Sequence, residues 1–226
     1  MAAASCTWYA TEEDGGLSDA GEEQARRTGE RLKNLPVARI HHSPLPRAVQ
    51  TASLIAGWLP GVPLVESAVV GDCIPADLDP AGLPPSCAQL VSSYAVTERN
   101  EGAALAEAAI QQFAGPPGEP GPDTGSGSET GPDTGPDTGP DTRSGSGADV
   151  HELIVTHNFP DRLVHPARAA RPDWRWMGLN QQNCALTVIL YRPGLPPSLV
   201  TFNDAAHLPD QLRWTGFPAQ LRPGCG

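Results

Sequence analysis

Two basic side chains follow segments of the chain that are typical of strands. Arg47 follows residues 37–46, which are typical of a short strand and a proline-containing loop, and His157 follows the buried-type strand Leu153–Thr156. Arg47 lies where a helix should begin, and a cation there opposes the helix dipole unless an anion binds between it and the helix N–H groups. Arg47 and His157 are therefore candidate phosphate ligands. Taken alone, Arg47 is also typical of an exposed loop residue, and His157 of a hydrogen-bonded structural histidine.

The hydrophobic pattern predicts alternating helices and strands. Ser18 can cap a first helix, and a second helix begins near Arg47. Residues 86–113 are helical in pattern, with a break expected near Asn100. The predicted strands are residues 37–42, 62–65, 153–156, 185–191 and 199–202. This alternation predicts an α/β fold, a three-layer mostly parallel sheet with helices on both faces, in which ligands bind beyond the carboxyl ends of the strands.

The predicted helices have defined inner faces. The first carries Ala25, Thr28, Leu32 and Leu35 at a period near 3.6 residues, and the second carries Ala48, Ala52, Ile55 and Leu59. These residues are the candidate core.

Composition excludes several classes of protein. The formal net charge of the 226 residues is −11, which argues against nucleic-acid binding through general phosphate neutralisation. No apolar run is long enough to cross a membrane, and residues 1–10 lack the pattern of a signal peptide. The five cysteines are odd in number and have no CxxC spacing, so we expect reduced thiols and a cytoplasmic protein without a zinc site.

The segment Gly115–Gly147 differs in composition from the rest of the chain. It contains three tandem Gly-Pro-Asp-Thr units at residues 131–142 and no apolar side chain that could anchor it. Burial therefore cannot offset the entropy cost of ordering it. We expect one domain, residues 1–226, with a disordered insertion at residues 115–149.

Four segments together resemble the histidine phosphatase superfamily, the phosphoglycerate-mutase-like proteins. They occur in the family's order over nearly the whole chain outside the insertion: Leu17-Ser-Asp-Ala-Gly-Glu-Glu-Gln-Ala, Ser43-Pro-Leu-Pro-Arg-Ala-Val-Gln-Thr-Ala, Val155-Thr-His and Phe202-Asn-Asp-Ala-Ala-His-Leu. The second segment is the most specific of the four.

The resemblance implies a mutase-like α/β fold and phosphoryl transfer through a phosphohistidine, without a metal or other cofactor. It assigns phosphate binding to Arg47 and His157, and proton donation to Asp72, which is otherwise typical of a surface turn beside Gly71. In that chemistry an arginine and a protonated histidine stabilise the equatorial oxygens of the phosphoryl group. The implied activity is that of a phosphoric monoester hydrolase or mutase acting on a small phosphorylated metabolite. The sequence does not indicate the oligomeric state.

The family's nucleophile is missing from this chain. The first strand should end in Arg-His-Gly, whereas the corresponding stretch is Ser5-Cys-Thr-Trp-Tyr-Ala-Thr, and no histidine precedes His41. The helix expected after His157 is also interrupted, since Pro166 lies within it. The sequence therefore predicts an inactive or degenerate site. The alternatives are a non-catalytic phosphate- or partner-binding pseudoenzyme and a biosynthetic enzyme that has reused the pocket.

A reading-frame shift would explain both departures. Codons for residues 5–12, read from the third base, permit Val-His-Val-Val-Arg-His-Gly. Codons for residues 160–172, read from the second base, permit Leu-Ile-Ala-Trp-Phe-Ile-Arg-His-Ala-Leu followed by Ala-Pro. Both strings restore a missing family element, so we hypothesise paired frame shifts in the gene or in its sequencing. Ordinary divergence is the alternative.

Three other histidines are candidates for binding. Adjacent side chains of a strand point to opposite faces, so His41 and His42 cannot ligate one metal ion. We expect His207 to have a structural, hydrogen-bonding role.

Overall fold

The computed structural model describes residues 15–73, 79–115, 149–157, 180–192 and 195–216. Helices and strands alternate along them as the hydrophobic pattern predicts. The elements are α1 (Asp19–Leu32), β1 (Val37–His42), α2 (Pro46–Ala56), β2 (Leu64–Glu66), α3 (Pro85–Ser92), α4 (Val96–Phe113), β3 (His151–Val155), β4 (Leu186–Arg192) and β5 (Leu195–Asp204).

Helix α1 begins at the predicted capping residue. The Ser18 hydroxyl accepts a hydrogen bond from the Gly21 N–H at 3.3 Å. Asp19 lies in the first turn, where a carboxylate interacts favourably with the helix dipole. The core side of the helix is the predicted one, with buried Ala25, Thr28 and Leu32.

Helix α2 begins without a side-chain cap. Leu45 is the N-cap residue, Pro46 is the first helical residue, and no acidic residue lies in the first turn. Proline suits this position because its fixed φ matches the helix and its missing N–H has no helical partner there. Arg47 is therefore held in the first turn of α2.

The central sheet consists of three parallel strands in the order β2-β1-β3. In the register, His42 of β1 lies opposite Glu66 of β2 and Val155 of β3. The carboxyl ends of all three strands therefore meet at one edge. Since the chain passes from β1 to its two neighbours on opposite sides, a crevice is expected where the connections diverge.

The core lies between this sheet and the first two helices. It contains Leu32, Ile40, Ala48, Ala52, Ile55, Leu59 and Val155. Helices α1 and α2 approach closely at Gly29, where a Cβ would lie 3.1 Å from Ile55 Cα. On the other face of β1, the His41 ring contacts the Phe113 ring of α4 edge-on, with 4.9 Å between centroids. Helices thus cover both faces of the sheet, which confirms the predicted fold class.

Strands β4 and β5 form a separate antiparallel pair. The segment after β5 is attached to α1, since Gln24 Nε2 donates to the Leu212 carbonyl at 2.8 Å. His207 Nε2 lies 3.1 Å from the Thr28 hydroxyl, a contact of the expected structural kind. Among the strands that the structure describes, β3 pairs only with β1, and β4 only with β5.

Two details of the predicted helices are wrong. Asn100 lies within α4, and the interruption falls instead at residues 93–95, where the Glu98 carboxylate accepts the Ala95 N–H at 2.7 Å and starts a new helix. Leu35 lies beyond the end of α1 and is 40% exposed. The chain leaves the helix after Leu32 to enter β1, which removes Leu35 from the apolar face.

Several predictions fall outside the described residues. They concern the N-terminal strand within residues 1–14, the insertion at residues 116–148 and the helix after His157 within residues 158–179. In the described ranges, no helix has the length and apolar character that a membrane span needs. Of the cysteines described there, Cys87 and Cys184 are free thiols.

Candidate phosphate site

The three candidate residues lie at the carboxyl edge of the parallel sheet. Arg47 follows β1, Asp72 follows β2 and the short 3-10 helix Ala68–Val70, and His157 follows β3. The segment after β2 is fastened to the end of β3, because the Thr156 hydroxyl donates to the Val70 carbonyl at 2.8 Å. Three connections far apart in sequence are thereby brought to one site.

Arg47 and Asp72 form an ion pair across this edge. Arg47 Nη2 lies 2.8 Å from Asp72 Oδ2. The two side chains are 33% and 48% exposed, so a ligand from solvent can reach both. A phosphate that took the guanidinium would compete directly with the Asp72 carboxylate.

The His157 ring is held from the opposite, buried side. Its Nε2 lies 2.9 Å from the Ser43 hydroxyl oxygen. Ser43 is fully buried, and its N–H donates to the Val155 carbonyl at 3.1 Å, which extends the pairing of β1 and β3 by one residue. The hydroxyl oxygen also accepts the Leu45 N–H at 3.2 Å. His157 is therefore fixed to the same backbone framework that carries Arg47.

The pKa of His157 is lowered from 6.5 to about 4, mainly by burial; the charge of Asp72 opposes this shift and the charge of Arg47 adds to it. The ring is thus neutral at pH 7 in the unliganded protein. This result modifies the expectation of a protonated histidine. A bound anion would add further negative charge that favours protonation of this ring.

The arrangement is suited to a tetrahedral anion. Arg47 offers several N–H donors in a planar fork, and the uncapped start of α2 lies beside it. A neutral imidazole can donate through one ring nitrogen and accept through the other. Asp72 is placed to exchange a proton with a ligand oxygen once an anion has displaced it from Arg47.

The other two histidines of this region have different surroundings. The His41 ring packs against Phe113 on the α4 face. His42 Nδ1 lies 3.0 Å from the Ser43 carbonyl oxygen. Within the described ranges, no group of three His, Cys, Asp or Glu side chains could hold a metal ion.

The fold is that of the phosphoglycerate-mutase-like α/β proteins. The solved structure of Bacillus stearothermophilus YhfR matches with a TM-score of 0.55 at 19% identity, covering 84% of this chain and 86% of that one. Mycobacterial hydrolase 2 matches with a TM-score of 0.54 at 18% identity, covering 88% and 84%. These likenesses concern the fold alone.

The sequence comparisons agree with the family resemblance of the four segments. A family model described as histidine phosphatase superfamily, branch 1, matches residues 4–68, which include the Ser43–Ala52 segment. The mouse mitochondrial serine/threonine-protein phosphatase PGAM5 is 27% identical over 203 residues, which is 88% of this chain. The chain is thus similar in sequence to the histidine phosphatase superfamily over residues 4–68. It spans 58% of the length of the curated relatives it matches.

Two features of the site were not predicted from sequence. In the sequence, the only sign of the hydrogen bond between Ser43 and His157 is a small hydroxyl residue at the end of a strand. The ion pair between Arg47 and Asp72 joins residues 25 positions apart. To predict this ion pair from sequence, one would need to know which loop lies above which strand end.

Proposed function

We propose that this protein binds the phosphoryl group of a small phosphorylated metabolite, and that its site is built for phosphoric monoester hydrolysis through a phosphohistidine. The observation that carries the proposal is the convergence of Arg47, Asp72 and His157 at the carboxyl edge of the three-stranded parallel sheet, with the charges of Arg47 and Asp72 both acting on His157. Hydrolysis is favoured over mutase activity because the mouse relative carries the name of a phosphatase.

The chemistry assigns one role to each side chain. In the family reaction, an imidazole nitrogen attacks phosphorus, the bond from phosphorus to the ester oxygen breaks, and Asp72 gives its proton to the leaving oxygen. Arg47 and His157 stabilise the equatorial oxygens through hydrogen bonds. A water molecule then breaks the phosphorus–nitrogen bond, and the Asp72 carboxylate takes up the water proton. The chain as it stands lacks the attacking histidine at the N-terminal motif.

The frame-shift hypothesis accounts for this gap. The nucleotide sequence tests the hypothesis directly. If the codons for residues 5–12 do not spell Arg-His-Gly from the third base, the hypothesis is wrong.

A non-catalytic phosphate-binding protein is the second candidate function. It is favoured by the absence of any histidine before His41 in a chain that keeps Arg47 and His157. Under this alternative, the site binds a phosphorylated ligand and transfers nothing.

A segment exchange distinguishes the two functions. We would replace residues 6–12 by Val-His-Val-Val-Arg-His-Gly and measure hydrolysis of p-nitrophenyl phosphate together with acid-labile phosphoprotein. We expect neither signal from the unaltered chain and both from the exchanged one.

The matched control carries the same segment with alanine in place of its second histidine. It should return both signals to background. If the exchanged protein binds phosphate but shows neither signal, the phosphatase assignment is incorrect, and the non-catalytic function is the better one.

A further inference from the structure

The Ser43 hydroxyl is a buried polar group in direct contact with the His157 ring. The distance from its oxygen to His157 Nε2 is 2.9 Å, and the serine has no exposed surface. Its backbone position is fixed between two strands by the hydrogen bond from Ser43 N–H to the Val155 carbonyl. Ser43 therefore cannot move far without breaking the pairing of β1 and β3.

The hydrogen bonds around this hydroxyl determine which way its proton points. A serine hydroxyl has one proton and two acceptor positions. The oxygen already accepts the Leu45 N–H at 3.2 Å, so the hydroxyl proton is available for donation to His157 Nε2. If Nε2 instead carried a proton, the oxygen would accept twice and the hydroxyl proton would need a further acceptor. A neutral imidazole that accepts at Nε2 carries its proton on Nδ1.

We propose that Ser43 is a positioning residue that fixes His157 in the Nδ1–H tautomer, so that Nδ1 is the ring nitrogen able to donate to a phosphoryl oxygen. This inference rests on the proposed function for its ligand, but the tautomer itself does not. Ser43 acts only through His157, because it is buried behind the ring and does not face the solvent that brings the ligand.

Thr156 provides a matched control. Its hydroxyl is adjacent to His157 in sequence but donates to the Val70 carbonyl at 2.8 Å. Loss of this hydroxyl perturbs the end of β3 without removing the bond to the imidazole. A merely structural effect on His157 should therefore appear in Thr156→Val as well as in Ser43→Ala.

The test is a long-range ¹H–¹⁵N correlation spectrum of ¹⁵N-labelled full-length protein in phosphate-free buffer at pH 7. The His157 signals are assigned from their loss in His157→Gln. We expect the unaltered protein and Thr156→Val to show a protonated Nδ1 and an unprotonated Nε2. In Ser43→Ala we expect loss of this preference and a mixture of tautomers. A protonated Nε2 in the unaltered protein overturns the proposal, even if Ser43→Ala fails to fold. The same tautomer in Ser43→Ala as in the unaltered protein overturns it too.

A second arm separates this inference from the proposed function. Inorganic phosphate is added to the unaltered protein and to Ser43→Ala. We expect the variant to bind about three- to tenfold more weakly, the range that one neutral hydrogen bond supplies. Equal affinity in the two proteins contradicts the positioning role. If the unaltered protein shows the Nδ1–H tautomer but binds no phosphate, the proposed function fails while the tautomer assignment stands.

Discussion

Asp72 neutralises the cation that is assigned to hold the phosphate. Its carboxylate is 2.8 Å from the Arg47 guanidinium, and both side chains are partly exposed. An exposed ion pair of this kind contributes no more than about 1 kcal/mol. Asp72 therefore competes only weakly with a ligand for Arg47. A phosphate dianion that binds the guanidinium in bidentate geometry can replace the carboxylate.

Substitution of Asp72 by Asn should separate binding from turnover. In the unaltered chain, we expect Asp72→Asn to bind inorganic phosphate about two- to fivefold more tightly, because the competing carboxylate is gone. In the protein with residues 6–12 exchanged, the same substitution should reduce turnover by about 100-fold or more, because the proton donor is lost. Calorimetry and p-nitrophenyl phosphate hydrolysis measure the two effects.

Asp210→Asn is the matched control. Asp210 pairs with Arg213 at 2.9 Å, and its side chain is 94% exposed. Its loss should leave phosphate affinity unchanged. Weaker phosphate binding in Asp72→Asn would show that the carboxylate assists the ligand and does not compete with it.

Sequence alone could predict that Arg47 and His157 lie near each other. Parallel strands bring their carboxyl ends to one edge, and both residues follow such strands. The partners of these two residues could not be predicted in the same way. Ser43 and Asp72 reach them through side-chain directions that only the packed loops define, and a hydroxyl or carboxylate can choose among many local partners.

The elements that carry the site depend on one close helix contact. At Gly29, a Cβ would lie 2.5 Å from Trp58 Cδ1 and 3.1 Å from Ile55 Cα. The indole can rotate away, since Trp58 is 39% exposed, but the α2 backbone cannot. Gly29 therefore sets the distance between α1 and α2, and α2 carries Arg47.

We expect Gly29→Ala to destabilise the protein by about 1–3 kcal/mol, although alanine has the higher helix propensity. Urea unfolding followed by circular dichroism measures the change. Gly21→Ala in the same helix is the control, because the atoms nearest its Cβ would be side-chain atoms of Leu17 at 3.2 Å and Ser18 at 3.6 Å and not backbone atoms of another element. An equal or greater stability of Gly29→Ala would show that α1 and α2 are not in close contact at Gly29.

The predictions of helices and strands are correct where one strong sequence signal is present, and they are wrong where several signals compete. Strand β1 and the start of α2 match the predictions because a proline pair separates a β-branched stretch from an alanine-rich one. The interruption between α3 and α4 was placed incorrectly near Asn100. A single asparagine is tolerated in a helix, whereas the Ser92–Ser93 pair favours a helix end and the Glu98 side chain caps a new start.

At the scale of the whole molecule, buried neutral histidines couple stability to pH. Burial lowers the pKa of His41, His157 and His207 below their ordinary value. Such a group stabilises the folded state fully above its unfolded pKa, near 6.5. That contribution is lost as the pH falls toward the folded pKa, because the unfolded chain then binds more protons.

We therefore expect acid to destabilise the protein well before most carboxylates are protonated. Since the pKa of His157 is lowered to about 4, this residue alone should account for about 1–2 kcal/mol of unfolding free energy between pH 7 and pH 5. Urea midpoints at the two pH values measure the loss. The difference should be smaller in His157→Gln, and an identical difference in that variant would remove His157 as a cause.

The composition of residues 1–11 also bears on stability, because the segment lacks the apolar alternation expected of a first strand. Loss of a well-packed strand costs several kcal/mol from a total of about 5–15. We expect thermal unfolding of the unaltered chain below about 65 °C and a higher midpoint after exchange of residues 6–12. Calorimetric scans compare the two proteins, and a cooperative transition of the unaltered chain well above 65 °C would contradict this expectation.

The functional assignment depends on one claim, that Arg47 and His157 bind the same phosphoryl group. Its most direct test is an NMR pH titration of the His157 ring with and without inorganic phosphate, in the unaltered protein and in Arg47→Gln. We predict a saturable response to phosphate in the unaltered protein, with the pKa of His157 raised from about 4 because the bound anion favours the charged ring. In Arg47→Gln this response should be lost. A pKa that phosphate leaves unchanged, or an equal response in Arg47→Gln, would contradict the claim.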